Sequence, residues 1–375
     1  MPWEASAAHL AARITRPSSP WRAAVAAVPR HHLVPRWWAA DGDGAWKLAD
    51  GVADVEAWMK AAYSDRTLVT RIGPLHADHA TEDDVPAGMP TSSSTLPSLL
   101  LTMYRHADLD DGVNVLDVGT GVGYGTALLS KRLGEQHVTS VDVDPHLTRV
   151  AEQRLAEISL EPKVATIDAA GEVPGTYDRI IATVSVRPVP PSWLRALKPG
   201  GRLVTTIAGT SLILTADKDE DGGATGRIEW DRAGFMRTRH ATDYPAEVRR
   251  PDAWDDGEHV STGAYPVINV VEAWDIASML DLTAPGISHN YTEYPDNRRV
   301  AWMSHADGSW ARAEGRLGEP PTVHQSGPRK LWDLLDEIRR YWMENGELPV
   351  RGARALIRPD GRLILVRGQW KAVID

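Results

Sequence analysis

The sequence contains no cysteine, and this absence excludes several kinds of chemistry. Without thiols the chain has no disulfide framework, no cysteine nucleophile and no zinc site built on sulfur ligands. Long apolar runs are also missing, since no stretch approaches the roughly 18 consecutive apolar residues that predict a membrane-spanning helix. The first 17 residues carry charged side chains and no apolar run typical of a signal peptide, so we expect a cytoplasmic protein.

Positive charge is in short supply. The formal net charge is -10 and the pI is near 5.7. A protein that binds nucleic acid through phosphate contacts needs a basic face, so we expect no nucleic-acid partner. With 42% hydrophobic and 25% charged residues, the chain has the composition of a folded globular protein. Its 375 residues predict two or three compact units.

Phenylalanine occurs once, whereas tryptophan occurs 15 times. Six tryptophans lie at or before Trp58, eight lie at or after Trp230, and Trp193 stands alone between them. We interpret most of them as core residues of two peripheral segments, where a few large side chains bury much apolar area. Peptide-binding surfaces also favour tryptophan, and that alternative stays open.

Strands alternate with helices from about residue 114 to residue 229, which predicts βαβ units and a mostly parallel sheet. A strand at 113–118 is followed by a predicted helix at 124–133. Beyond the proline-rich linker at 245–256 the alternation stops, and an α+β appendage follows. In that appendage we predict a helix ending at Asn345-Gly346 and a hairpin turning at Asp360-Gly361.

The sharpest local signal is the segment VLDVGTGVGYG at 115–125. The series Gly119, Thr120 and Gly121 lets the backbone turn tightly and approach a ligand at the start of the next helix. A dinucleotide-binding loop would have a third glycine at 124, where this chain has Tyr124. Asp117, two residues before the first glycine, favours a cationic ligand over two phosphates, and S-adenosylmethionine carries such cations.

Two further acids follow at the ends of predicted strands. Asp142 stands 23 residues after Gly119, the spacing at which a carboxylate accepts the ribose hydroxyls of a bound nucleoside. We assign Asp168 to the adenine edge and group Val143 and Ala169 with these acids. Each acid alone is equally typical of a helix cap, but their combination with the glycine loop predicts an S-adenosylmethionine site. No P-loop motif follows the glycines.

Seven segments stand in a characteristic order: VPRHHLVP (28–35), AYSDRTL (62–68), SSSTLPSLLLTM (92–103), VLDVGTGVGYGTALLS (115–130), VTSVDVD (138–144), YDRIIATVSV (177–186) and LKPGGRLV (197–204). Together they resemble the protein-L-isoaspartate O-methyltransferase family. The resemblance implies an α/β, Rossmann-like class I S-adenosylmethionine-dependent methyltransferase that esterifies a carboxylate in a peptide and releases S-adenosylhomocysteine. We therefore divide the chain into an N-terminal cap (1–90), a methyltransferase domain (91–245) and a smaller α+β C-terminal domain (251–375).

The resemblance also implies the acceptor site. Thr95 occupies the position at which the family has a substrate-site serine, and we expect Ser94 or Ser93 to assist it. The alternative is that this Ser/Thr-rich segment caps the helix that begins at Pro97. Around Asp168 the family has glycines on both sides, whereas this chain has Ile167 and Ala169. Methylation of a carboxylate needs no strong base, because the acceptor is already an anion at neutral pH.

The tail motifs DGSWA (307–311) and QSGPRKLWD (325–333) are similar to actinobacterial homologues that tailor ribosomally made peptides. That resemblance implies a constrained precursor peptide as partner, with an aspartate esterified on the way to aspartimide or isoaspartate. General repair of isoaspartyl proteins is the alternative, and a degenerate precursor-binding scaffold without chemistry is another.

Two polar clusters allow more than one interpretation. We read His76 and His79 as part of a solvated loop and expect no metal site there. The arginines of DRAGFMRTRH (231–240) either contact an acidic peptide or flank a strand.

Overall fold

The computed structural model describes residues 3–41, 45–240 and 256–375. These form three sheets, flanked by helices. The predicted linker at 245–256 lies almost wholly outside the described residues. Within them, no helix is both long and apolar enough to cross a bilayer.

The N-terminal segment combines helices with a small antiparallel sheet. Its elements are α1 (Trp3–Ile14), α2 (Arg22–Ala27), α3 (Arg30–Leu33), β1 (Arg36–Ala40), β2 (Trp46–Asp50), α4 (Val55–Ala62), β3 (Leu68–Ile72), β4 (Leu75–His76) and β5 (Pro90–Ser94). The sheet runs in the order β2-β1-β3-β4, and β5 also pairs with β3. This pairing brings the Ser/Thr-rich segment next to the N-terminal helices.

A ten-stranded sheet forms the centre of the molecule. The chain builds its first part from α5 (Pro97–Ala107), β6 (Val115–Val118), α6 (Tyr124–Leu133), β7 (Val138–Asp142), α7 (Pro145–Glu157), β8 (Lys163–Thr166), β9 (Tyr177–Val186), α8 (Pro191–Ala196), β10 (Leu197–Ile207), β11 (Leu212–Lys218) and β12 (Ala224–Arg232). Strands β10-β9-β6-β7-β8 are parallel neighbours in that order. Helix α6 has the predicted bounds, and the mostly parallel sheet predicted for residues 114–229 is confirmed. The complete ten-stranded sheet is mixed, because its other five strand pairs are antiparallel.

The strand order places a switch in direction at β6. From β6 the chain adds β7 and then β8 on one side, and it returns to place β9 on the other side. All four residues of β6 are buried, as expected for a strand covered on both faces. In open α/β sheets, ligands bind outside the carboxyl ends of the strands at such a switch point. The glycine loop follows β6 at this place.

The C-terminal residues form a second antiparallel sheet and then return to the ten-stranded central sheet. Their elements are β13 (His259–Thr262), α9 (Trp274–Thr283), β14 (Ser288–Glu293), β15 (Arg298–Ser304), β16 (Trp310–Arg316), β17 (Thr322–Ser326), α10 (Leu331–Glu344), β18 (Arg354–Ile357), β19 (Leu363–Arg367) and β20 (Trp370–Ile374). The predicted helix and the hairpin β18–β19 are confirmed. Strand β18 pairs with β12, so the last three strands extend the central sheet.

One hydrophobic core connects the central sheet with the C-terminal residues. It contains Leu116 of β6, Leu335 of α10 and Leu365 of β19, all fully buried. The three-part division of the chain stays a prediction, but removal of residues 251–375 would strip β18 from β12 and open this core. A truncated protein is therefore a poor test of what the C-terminal residues do.

Among the described tryptophans, exposure ranges from fully buried to more than half exposed. Trp38 and Trp332 are among the largest fully buried side chains, one in the N-terminal sheet region and one in α10. Trp193 is also buried, and its indole nitrogen donates a 2.7 Å hydrogen bond to the carbonyl of Ala169. Trp230 and Trp274 are exposed, by 56% and 39%. The core interpretation is confirmed for Trp38 and Trp332, and the peptide-surface alternative stays a prediction.

Candidate functional site

The glycine loop has the conformation that its sequence predicts. Gly119, Gly121 and Gly123 have φ angles of 102°, 52° and 85°, values that L-residues with a side chain rarely adopt. A Cβ atom at Gly119 would lie 2.9 Å from Thr183 Oγ1, and one at Gly121 would lie 3.2 Å from the carbonyl oxygen of Ser93. The loop therefore has no room for side chains and lies directly against the Ser/Thr-rich segment.

Asp117 is buried inside the sheet beneath this loop. Thr126 Oγ1 and Ser140 Oγ donate to its Oδ2 at 2.7 and 2.9 Å. Thr120 Oγ1 joins the same network, 2.7 Å from Ser140 Oγ. Burial raises the pKa of Asp117 to about 6, although the two hydroxyl donors oppose this rise. Asp117 is thus an anion at neutral pH, and a cation placed beside it would stabilise the buried carboxylate.

Asp142 lies at the carboxyl end of β7, where it connects two loops. Its Oδ2 accepts the Gly121 N–H at 3.0 Å, and its Oδ1 accepts the Asp144 N–H at 3.1 Å. Burial raises its pKa. Val143 stands in the turn between the two acids. The carboxylate therefore sets the position of the glycine loop as well as offering oxygen acceptors to a ligand.

Asp168 follows β8 on the same edge of the sheet, and it forms a contact that the sequence did not predict. Its Oδ2 lies 2.6 Å from His240 Nδ1, and its Oδ1 accepts the Ala170 N–H at 2.9 Å. Ala169 is buried and accepts the bond from Trp193 described above. The expected adenine acid thus already has a partner in this structure.

The segment before His240 is held across the carboxyl edge of the sheet. Ser185 N donates to Met236 O, and Thr238 N donates to Ser185 O, both at 2.8 Å. Arg239 Nη2 donates to Asp144 Oδ2 at 3.0 Å. We expected the arginines of 231–240 either to contact an acidic peptide or to flank a strand. In this structure Arg239 instead pairs with Asp144, the residue that caps α7.

The Ser/Thr-rich segment is not a helix cap. The residue capping α5 is Leu96, which makes no side-chain capping bond. Instead, Asp65 Oδ1 accepts the Ser98 N–H at 2.9 Å and Thr67 Oγ1 accepts the Leu96 N–H at 3.2 Å. The alternative interpretation of this segment as a helix cap is therefore wrong, since the loop between α4 and β3 supplies these hydrogen-bond partners.

Within that segment, the three expected acceptor-site residues differ in their surroundings. Ser94 is buried, and its Oγ accepts a 3.1 Å hydrogen bond from Arg30 Nε. Thr95 is half-buried, and its carbonyl accepts from Arg30 Nη2 at 3.2 Å. Ser93 presents its carbonyl to Gly121, as noted above. Ser94 is thus committed to the fold, whereas Thr95 is held by its backbone and not by its hydroxyl.

Arg30 joins the candidate site although its motif was not predicted to do so. It lies in the VPRHHLVP motif, is 0% exposed, and donates to Ser94, to Thr95 and to three other backbone carbonyls. Its guanidinium carbon also lies 5.0 Å from the ring centre of buried Tyr124, at the start of α6. Burial lowers the Arg30 pKa to about 10, which leaves it charged at neutral pH. Arg30 therefore links residues 93–95, which we call the acceptor segment, to the glycine loop.

One expectation about the histidines is wrong. His76 is 2% exposed and packs its ring 4.8 Å from that of His146, so it is not part of a solvated loop. His79 is exposed, as expected. This burial could not be predicted from the local sequence, because His146 lies 70 residues further along the chain.

Comparison with known proteins identifies the family. The sequence profile described as "Protein-L-isoaspartate(D-aspartate) O-methyltransferase" matches residues 75–231. A protein-L-isoaspartate O-methyltransferase of Anaeromyxobacter dehalogenans is 32% identical over 170 residues, which are 44% of this chain and 78% of that protein. The chain belongs to the protein-L-isoaspartate O-methyltransferase family.

Two further relatives match over shorter stretches, and one solved structure matches over most of the chain. The Thermotoga maritima protein-L-isoaspartate O-methyltransferase is 34% identical over 120 residues, or 31% of this chain. The chain spans 38% of that relative's length and 66% of the Archaeoglobus fulgidus relative. A solved protein-L-isoaspartate O-methyltransferase has a TM-score of 0.49 at 18% identity, with 95% of this chain and 94% of that one covered. The family profile ends at residue 231, ahead of the C-terminal sheet.

Proposed function

We propose that this protein is an S-adenosylmethionine-dependent O-methyltransferase that esterifies the side-chain carboxylate of an aspartate-derived residue in a peptide. The observation that carries the proposal is one juxtaposition at the carboxyl edge of the sheet. There the glycine loop, with Asp117 and Asp142, lies against the Ser93 carbonyl of the acceptor segment. Membership of the family supports the same reaction.

The residues of this edge fit the proposed cofactor. The glycine loop presents backbone without side chains, and acids lie at or near the carboxyl ends of three adjacent strands. Asp117 would face the amino group, Asp142 the ribose hydroxyls and Asp168 the adenine amino group. For Asp168 to do this, His240 must release it or share it. When bound, S-adenosylmethionine supplies an electrophilic methyl group on a sulfonium sulfur.

For the acceptor, the work of the protein is positioning. A carboxylate is an anion at neutral pH, so no general base has to remove a proton. Thr95 carries a hydroxyl that can donate to this carboxylate, and the backbone around Ser93 sets its distance from the glycine loop. Arg30 fixes the position of Thr95 and of this backbone, because it donates hydrogen bonds to the carbonyls of Ser94 and Thr95. Orientation of this kind and exclusion of water lower the barrier.

The peptide itself has two candidates. We propose a constrained ribosomal precursor peptide with an ordinary aspartate, which would give aspartimide or isoaspartate after esterification. Its support is the second antiparallel sheet of residues 259–326, which lies beyond the family match. General repair of isoaspartyl peptides is the alternative, supported by the names of the relatives.

The decisive experiment measures transfer of labelled methyl groups to peptides. An isoaspartyl peptide, the same peptide with ordinary aspartate, and a cyclised aspartyl peptide are each incubated with the full chain. Base-labile label on any of them supports a carboxyl methyltransferase. Label on the cyclised aspartyl peptide alone favours the precursor candidate, and label on the linear isoaspartyl peptide alone favours repair.

The same experiment can contradict the proposal. If none of the three peptides is labelled although calorimetry detects S-adenosylhomocysteine binding, the chain is a cofactor-binding scaffold and not an enzyme on these acceptors. If S-adenosylhomocysteine does not bind, the assignment of Asp117 and Asp142 is wrong as well. The Asp142→Ala variant is the matched negative control for label that arises without the site.

A further inference from the structure

Three side chains that the proposed reaction does not use converge between the N-terminal sheet and α7. They are His76 of β4, Asp78 in the turn after it, and His146 in the first turn of α7. One ligand atom from each lies within 4.8 Å of the other two. Asp78 Oδ2 is 3.5 Å from His76 Nδ1 and 3.6 Å from His146 Nε2.

These separations are close to those of a coordination sphere. Tetrahedral zinc binds nitrogen and oxygen at about 2.0–2.1 Å, which places neighbouring ligand atoms about 3.4 Å apart. Imidazole nitrogens and a carboxylate are a donor set that zinc and other divalent transition metals accept. Small adjustments of the side chains would therefore bring the three donors around one ion.

One of these donor atoms is also a nitrogen that the protein does not satisfy. Among the described residues, His146 Nε2, the atom that faces Asp78, is buried and has no hydrogen-bond partner. A buried polar atom without a partner costs free energy, and an ion that is not part of the chain would explain it.

Neighbouring side chains complete the surroundings that a metal site needs. Arg154 Nη2 donates to Asp78 Oδ2 at 2.9 Å, and His79 Nε2 lies 3.2 Å from His146 Nδ1. Such outer partners orient metal ligands in known sites. Asp78, His79 and His146 also line a cavity of about 540 Å³, which gives an ion access from solvent.

We propose that His76, Asp78 and His146 bind a divalent transition-metal ion, for which zinc is the best match, separately from the cofactor site. The exposed His79 lies against His146 Nδ1, the ring nitrogen that does not face Asp78, so it would orient His146 from outside the coordination sphere. Because two ligands come from the N-terminal segment and one from α7, the ion would fasten that segment to the helix that follows Asp142. Arg154 shares the carboxylate of Asp78, so we expect weaker binding than in a closed structural zinc site.

Direct metal titration tests this proposal without any activity assay. The full chain is treated with chelator, dialysed, and titrated with Zn²⁺ by calorimetry, and with Co²⁺ by visible absorption. We expect one ion per chain and a higher thermal midpoint in the presence of Zn²⁺. His146→Ala and Asp78→Asn should each weaken Zn²⁺ binding by at least about tenfold and remove the rise in midpoint.

The matched control is His9→Ala, which removes an exposed histidine from α1. It should bind Zn²⁺ as the wild type does. The proposal is overturned if the wild type binds no Zn²⁺, or if His146→Ala and Asp78→Asn bind it as tightly as His9→Ala does. Circular dichroism establishes that each variant is folded, and Asp78→Asn decides the matter if His146→Ala is not. Loss of methyl transfer with intact Zn²⁺ binding would contradict the proposed function alone.

Discussion

Arg30→Lys tests the most important contact that the structure reveals at the acceptor segment. The Arg30 guanidinium donates six hydrogen bonds from a fully buried position, three of them to Ser94 and Thr95. A lysine ammonium has three donors and no planar fork. At least three acceptors therefore lose their partner in the variant.

The size of the effect follows from these bonds. At about 1 kcal/mol for each lost hydrogen bond, the free energy of unfolding should fall by about 3 kcal/mol. For a chain of this length, that corresponds to a decrease of about 4 °C in the thermal midpoint. The acceptor segment should also shift, and because small misplacements of reacting groups are costly, we expect turnover to fall by about tenfold or more.

Three measurements check this prediction: thermal unfolding, steady-state methyl transfer to the peptide that the wild type accepts, and calorimetry with S-adenosylhomocysteine. Cofactor affinity should stay within about twofold of the wild-type value, since Arg30 contacts the acceptor segment more than the glycine loop. Arg13→Lys, at an exposed position of α1, is the matched control. An unchanged midpoint and turnover in Arg30→Lys would refute the reasoning, and an equal loss of cofactor affinity would reassign Arg30 to the glycine loop.

Three further predictions concern the site itself. Asp142→Ala should weaken S-adenosylhomocysteine binding by about tenfold or more, because it removes acceptors for the ribose and for the Gly121 N–H; unchanged affinity in calorimetry would contradict this. Thr95→Val should reduce turnover by about tenfold with little change in cofactor affinity, whereas Thr95→Ser should stay active; a wild-type rate in the valine variant would remove this hydroxyl from the site. Because the pKa of Asp117 is raised to about 6, this acid becomes protonated as the pH falls below that value and loses its attraction for a cation. Cofactor affinity should therefore decrease by up to about tenfold per pH unit below 6 and be level above it, and Asp117→Asn should bind weakly with no such step; a step that persists in the variant would place the titrating group elsewhere.

The parts of the fold that depend on neighbouring residues were predictable. The helix at 124–133 begins directly after a glycine with a positive φ, so the local sequence determines where it starts. The hairpin β18–β19 likewise follows from the pair Asp360-Gly361, between two runs that alternate in polarity. Asp142 was predictable too, because the length of one βα unit fixes how far the next strand end lies from the glycine loop.

Contacts between residues distant in sequence were not predictable. Arg30 reaches Ser94 across 64 positions, and His240 reaches Asp168 across 72. His76 becomes buried only because α7 packs over it. In each case the side chain is ordinary in its local sequence, and its partner is supplied by the way in which separate segments pack together.

The sequence by itself determined the glycine loop and the positions of the acids in the proposed cofactor site, because a tight glycine turn and the spacing along βα units are local requirements. Only the tertiary structure decided how the proposed acceptor segment is held, why the last three strands belong to the central sheet, and which histidines meet. Those outcomes depend on burial and on hydrogen bonds between segments, and the free energy of such contacts exists only when the segments are packed.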